Sequence, residues 1–341
     1  MKRIANRLKF FTAILITAAI CLSDITGHAE TVKVGISRLI GYPGVPIALD
    51  RGYFKAEGLD VEMVFFDSAQ PIAVAAASGD VEFGVSGMSA SFYTLAAQGQ
   101  LRLIASSGGD APGYHTLAFV ASNRAYEAGL KSPHDLPGHS VAVTQVGTSL
   151  HYAIGQLAEK DGFPMSAVTV KPLQSNTYVM AAVIGGTVEA AVMPSGPVLT
   201  PIAKGEIKLL GWSSDYGANA MGSAAFVSTR AANQRGEMVK RFLVAYRKGL
   251  RDFHDAFSAP DGTRRDGPTA SAMLALMADF TGIPVAILAS AIPYMDPEGR
   301  IDAANVARQI AWYKSQNLLK GDIKAEDLID SRYALAKIAH R

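Results

Sequence analysis

Cysteine is almost absent: Cys21 is the only one in 341 residues. It ends an apolar N-terminal stretch, and beyond it the chain can form no disulfide, no thiolate metal site and no thiol nucleophile. Tryptophan is nearly as scarce, with two residues, and charge is modest at 18% of the chain. No basic face of the kind a nucleic-acid binder needs is visible. After the N-terminal stretch, no apolar run is long enough for a transmembrane helix. The seven histidines are scattered. His134 and His139 flank a Pro/Gly turn with no partner at ligand spacing, so no metal and no cofactor are expected. A P-loop and a dinucleotide-binding glycine fingerprint are both missing. Gly84-Val85-Ser86-Gly87-Met88 approaches a nucleophile elbow, but its second glycine comes one residue early. Glu62, Glu82 and Glu189 fall on predicted strands, with nothing to place two of them together as an acid–base pair.

What is present begins with the first residues. Lys2, Arg3, Arg7 and Lys9 form a positive segment, Phe10 to Leu22 is apolar and uncharged, and Gly27-His28-Ala29 supplies small residues for a cut before Glu30. That is a cleavable secretory signal, and its apolar part is too short to span a bilayer. A lipoprotein signal would want a small residue where Ile20 stands, so Cys21 is read as part of the discarded peptide. Loss of residues 1–29 removes four basic residues and one acid, taking the formal net charge from +2 to about −1. A periplasmic location is expected. About 310 remaining residues favour two domains over one.

From Thr31 onward, short β-branched runs alternate with Ala-rich helical stretches, which implies βαβ units and a mostly parallel sheet. The order of elements then repeats. Ala77 to Val85 (ASGDVEFGV) and Ile184 to Val192 (IGGTVEAAV) each take a helix to a glycine stop and on into a Val-Glu strand. Two strands, Thr116 to Ala121 and Ala224 to Thr229, bracket the second set and read as crossings between two α/β lobes. The mainly helical tail after Arg230 is expected on the first lobe. The expected organisation is therefore a signal peptide over 1–29, a discontinuous lobe 1 over 30–117 and 226–341, and lobe 2 over 118–225.

Three motifs carry a resemblance. Gly52-Tyr53-Phe54-Lys55-Ala56-Glu57-Gly58-Leu59-Asp60-Val61 resembles the signature of the nitrate, sulfonate, taurine and thiamine-pyrimidine-precursor binding proteins of ABC importers. Ala77 to Val85 follows at that family's spacing. Asp135 to Val143 (DLPGHSVAV) is similar to its lead into the second lobe, with His139 where lysine is usual. The resemblance implies a type II periplasmic-binding-protein fold, closed on a ligand between the lobes, and an ABC importer membrane permease as partner. A monomer that is not an enzyme is expected. Relatives that make a thiamine pyrimidine offer the alternative of an enzyme acting on that or an aromatic substrate. The fungal enzymes carry a cysteine-rich motif, which this chain lacks.

In open α/β sheets ligands bind beyond the carboxyl ends of the strands, where helix N-termini favour anions. Loops at those positions nominate Ser37, Arg38, Gly41, Tyr42 and Pro43 after the first strand, and Ser86, Gly87, Met88 and Ser89 after the third. Ser107 and Gly108 follow the fourth. The second lobe offers Gly147, Thr148, Ser149 and His151, then Asn176, then Met193, Pro194 and Ser195, with Trp212 after the last strand. Each has an ordinary alternative, because Ser, Thr, Gly and Pro cap and turn any α/β loop. Arg38 could be a solvated loop arginine, and Met88, Met193 and Trp212 could be core. The expected ligand is a small organic anion, a sulfonate or carboxylate, with an aromatic body among the options.

Overall fold

The computed structural model describes residues 29–216 and 221–337. The signal-peptide reading, with Cys21, lies outside them but for Ala29. Among the described residues, no helix is long and apolar enough to cross a membrane, and no group of three His, Cys, Asp or Glu side chains could hold a metal.

The chain opens with β1 (Glu30–Ile36), α1 (Gly44–Asp50), α2 (Tyr53–Ala56), β2 (Leu59–Phe65), α3 (Ala69–Ser78), β3 (Phe83–Gly87), α4 (Ala90–Ala97), β4 (Leu101–Ser106) and the short β5 (Gly108–Gly109). Next come β6 (Leu117–Ser122), α5 (Asn123–Glu127), β7 (Ser140–Val143), α6 (Ser149–Asp161), β8 (Thr169–Pro172), α7 (Asn176–Ile184), β9 (Ala190–Pro194), α8 (Ser195–Ala203) and β10 (Ile207–Trp212). The last part holds β11 (Ser223–Ser228), α9 (Thr229–Gln234), α10 (Gly236–Phe257), α11 (Ala270–Thr281), α12 (Val285–Leu288), β12 (Tyr294–Met295), α13 (Ala303–Ser315) and α14 (Ala325–Leu328).

Two five-stranded sheets result, in the orders β2-β1-β3-β11-β4 and β8-β7-β9-β6-β10. Written this way they are the same pattern. In each, three parallel strands are followed by one antiparallel strand that has arrived from the other lobe, then by an edge strand. Residues 83–87 of β3 are buried without a break, as expected when helices cover both faces of a sheet.

The repeated Val-Glu segment has a structural reason. Glu82 accepts the N–H of Lys33 at 2.8 Å, and Glu189 accepts the N–H of Ser140 at 2.8 Å. Each carboxylate thus satisfies a backbone donor one residue before its strand begins to pair with the neighbouring parallel strand. This delays β3 and β9 by two residues relative to the runs read from Val81 and Val188. Hydrogen bonds to the ionised carboxylate, first from the Ser140 backbone and then from His139, hold Glu189 below the usual range.

The two strands read as crossings each lie wholly within one sheet. β6 pairs with β9 and β10, and β11 pairs with β3 and β4. A strand bonded along both edges cannot straddle two lobes, so the chain passes between sheets just before each of them. The first passage is tied by Asp110, whose carboxylate accepts from Thr116 Oγ1 at 2.5 Å, from Thr116 N at 3.0 Å and from Ser213 Oγ at 2.6 Å.

The helical tail packs against the first sheet. Along α10 the buried positions Val239, Phe242, Tyr246, Leu250, Phe253 and Phe257 recur every three or four residues, giving one apolar face. Phe242 stacks on Phe83 with ring centroids 3.8 Å apart. Arg235 and Arg241 both pair with Glu30, holding the tail to the first strand.

Candidate functional site

The loops at the carboxyl ends of β1, β2 and β3 face those of β7, β8 and β9 across a cavity of about 720 Å³, measured out to its open mouth. The lobes already touch around it. Ala90 N–H donates to Gly147 O at 2.7 Å, Gln145 Nε2 to Ser68 Oγ at 3.3 Å, and Asn176 Nδ2 to Asp67 O at 3.0 Å. At Gly87 a Cβ would come within 2.6 Å of Ser149 Oγ, so a larger residue there would push the Ser149 hydroxyl out of its present rotamer.

No described lining residue carries a charge. The wall is built from hydroxyls, backbone and aliphatic groups. Ser37 and Thr144, one from each lobe, are 5% and 3% exposed and line the cavity, and among the described residues their hydroxyls have no hydrogen-bond partner. Tyr42 forms part of the wall, its hydroxyl accepting from Gly87 N–H at 3.0 Å; burial pushes that phenol up to about 12, so it stays neutral.

Of the helices that start at the cavity, α7 is capped, Ser175 Oγ accepting the Tyr178 N–H at 3.1 Å. Ser89, Ser122 and Ser228 cap their helices with side-chain hydrogen bonds. Ser68, before α3, and Thr148, before α6, do not. The Ser68 hydroxyl takes the Gln145 amide instead, and Thr148 Oγ1 donates to Gln145 O at 2.9 Å. The first-turn N–H groups of α3 and α6 are thereby left without a side-chain partner at the cavity. Uncapped N–H groups and the positive end of the helix dipole together suit an anionic group. Asn176 Oδ1 is buried and has no partner among the described residues.

The structure brings together half of the residues nominated from the sequence. Ser37, Gly41, Tyr42, Gly87 and Gly108 line the cavity from one lobe, and Thr148, Ser149, Asn176, Pro194 and Ser195 from the other. The remainder lie elsewhere, each for a visible reason. Arg38 turns away: its guanidinium sits 3.7 Å over the Phe65 ring and donates to Phe280 O at 3.2 Å. Pro43 and Ser89 precede α1 and α4 as N-caps, and Ser86 Oγ bonds Gly87 O at 3.1 Å. Met88 is core, accepting Tyr93 OH at 3.4 Å, and Met193 is fully buried in the second lobe. Ser107 supports the wall from behind by donating to Gly41 O at 3.1 Å. Gly147 serves the lobe seam, and His151 points from α6 toward Trp312. Trp212 stacks on His115 with centroids 4.6 Å apart.

Sequence reading missed Ser68 and Ala69, which stand after β2 as Ser175 and Asn176 stand after β8; the internal repeat carried that signal. It also missed Thr144 and Leu150, and the aliphatic pair Leu39–Ile40. Thr116 and Gly222 end the passages between lobes, Leu117 and Ser223 begin the strands that follow, and no local pattern marks any of the four as lining.

A family model described as NMT1/THI5 like matches residues 42–261. The chain belongs to the NMT1/THI5-like family. Among curated proteins no sequence matches it. Solved structures resemble this NMT1/THI5-like chain over most of its length. The periplasmic aliphatic sulphonate binding protein SsuA of Escherichia coli is 17% identical with a TM-score of 0.67, covering 89% of this chain and 98% of its own. The alkanesulfonate-binding protein SsuA of Xanthomonas axonopodis pv. citri, bound to MOPS, is 18% identical with a TM-score of 0.69, covering 88% and 98%. The periplasmic nitrate-binding protein NrtA of Synechocystis PCC 6803 is 13% identical with a TM-score of 0.68, covering 87% and 84%. At these identities the likeness establishes the fold, which is that of periplasmic binding proteins.

Proposed function

We propose that this protein is the periplasmic solute-binding component of an ABC importer and that it captures a small organic anion, a sulfonate or carboxylate, by closure of its two lobes. The observation that carries the reading is the uncharged cavity into which α3 and α6 start without side-chain caps, beside the unpartnered hydroxyls of Ser37 and Thr144. An anion held there is stabilised by dipoles and hydrogen bonds without a counter-charge. Its body meets Leu39, Ile40, Leu117, Leu150 and Pro194, which favours an aliphatic chain. The free Oδ1 of Asn176 offers an acceptor to a donor group on the ligand, such as an amine or hydroxyl. Because residues from both lobes supply the contacts, binding energy favours the closed arrangement over the open one. The sulphonate- and nitrate-binding proteins of the same fold agree with an anionic solute.

The test is a thermal-shift screen of residues 30–341, denatured and refolded to strip any bound molecule, against taurine, ethanesulfonate, propionate, benzoate and nitrate. A ligand at about 100 times its Kd stabilises the native state by about 2.7 kcal/mol, a shift of several degrees. A selective shift supports the reading and names the chemical class. A flat panel refutes the anion, and turnover of any panel member refutes the carrier role.

A further inference from the structure

The helix that starts in the cavity also touches the opposite lobe farther along its length. Thr148, Ser149 and Leu150 line the cavity at the start of α6, and Gly155 lies within two turns of them. On the first lobe, α13 is anchored by Tyr313, which donates to Met88 O at 3.1 Å and packs 5.7 Å from the Tyr93 ring. Its neighbour Trp312 rests instead on α6. The indole lies 5.0 Å from His151 at 77° and 5.3 Å from Tyr152 at 69°. At Gly155 a Cβ would stand 2.2 Å from Trp312 Cε2 and Nε1. Glycine is the poorest helix former after proline, so its presence inside α6 has a packing reason: the bare backbone is the seat for the indole edge.

We propose that Trp312 is a latch between the lobes, a positioning residue that seats on Gly155 when the cleft is closed and holds the N-terminus of α6 on the ligand without touching the ligand itself. The latch rests on the binding function proposed above. Closed-state contacts that are absent from the open form slow release and leave capture unchanged. Ligand residence time is therefore where the latch acts.

The experiment places a methyl group in the seat, Gly155→Ala, and follows binding by stopped flow with whichever of taurine, ethanesulfonate, propionate or benzoate shifts the wild-type protein. The dissociation rate is expected to rise about tenfold or more while the association rate stays within about twofold. The melting temperature of the ligand-free protein should not fall, since alanine favours the helix. Trp312→Leu added to Gly155→Ala vacates the space and should bring the dissociation rate back toward wild type. An unchanged dissociation rate in Gly155→Ala overturns the latch. So does a rise that comes with a lower ligand-free melting temperature and no recovery in the double variant. If no panel member binds the wild-type protein, the binding function fails, and the latch that rests on it fails with it. Where a member binds, Trp312 is the only indole in a Trp212→Phe background, and the emission of the ligand-bound protein should shift to the red with Gly155→Ala; identical emission overturns the latch.

Discussion

Lowering the pH should destabilise this protein through His151. The ring is 6% exposed, and burial pulls its pKa down to about 4. Its Nδ1 accepts the Gly147 N–H at 3.2 Å, which requires the neutral ring with its proton on Nε2; a proton on Nδ1 would set two donors against each other. Toward this ring α6 brings Tyr152 and α13 brings Trp312, and neither supplies a charge to hold an imidazolium. In the unfolded chain the same histidine titrates near 6.5. Between those values the unfolded state binds a proton that the folded state does not, so stability is complete above about pH 6.5 and is lost as the pH falls. Linkage gives a loss of about 2 kcal/mol by pH 5 and about 3 kcal/mol by pH 4. The former corresponds to a fall of about 3 °C in Tm from pH 7 to pH 5 for a protein of this size. The assay is thermal unfolding at pH 7, 6 and 5 for the wild type and for His151→Gln, whose amide oxygen can still accept from Gly147. His115, also pulled down by burial, and the carboxylates titrate in both proteins. The difference between the two slopes therefore isolates His151. Parallel slopes, with His151→Gln losing as much stability by pH 5 as the wild type, would refute the reasoning.

Three further outcomes follow from the geometry. Ser37→Ala and Thr144→Ala should each weaken an anionic ligand about tenfold or more by calorimetry, the worth of a hydrogen bond to a charged group; unchanged affinity removes the hydroxyl from the site. Arg38→Ala should leave affinity within about twofold and cost about 0.5–1 kcal/mol of stability, since its guanidinium packs on Phe65 outside the cavity. A large loss of binding in that variant would return Arg38 to the ligand. Glu82→Gln and Glu189→Gln should each destabilise by about 1–3 kcal/mol in urea unfolding, because both leave a backbone N–H with a weaker acceptor. Equal losses in the two variants would match their equivalent places in the two sheets.

Most of the fold was legible because its signals are local. β-branched runs, Ala-rich helices and glycine stops mark βαβ units wherever they occur, and the repeated Val-Glu segment announced that one unit had been used twice. The strand-end rule reached ten lining residues for the same reason: a loop between a parallel strand and the next helix must lie at the carboxyl edge. It erred on direction. Arg38 and Tyr42 occupy one loop, yet Tyr42 turns inward to Gly87 and Arg38 outward to Phe65 and Phe280. Phe280 lies more than two hundred residues farther on, and nothing near Arg38 in the chain announces it. Likewise Met88, Met193 and Trp212 are apolar groups near strand ends, which a core or a cavity would accept equally.

Visible in the sequence alone are two similar α/β lobes, a single cysteine, Cys21, which allows no internal disulfide, and Ser- and Gly-rich loops where an anion could bind. These follow from periodicity and composition, which are properties of neighbouring residues. Only the tertiary structure decided that the chain passes between lobes before β6 and β11, that Ser37 and Thr144 face one cavity, and that Trp312 meets Gly155. Each joins residues separated by about a hundred positions or more. Such contacts depend on how two lobes close on each other, and that closure is set by the summed packing of side chains from both lobes.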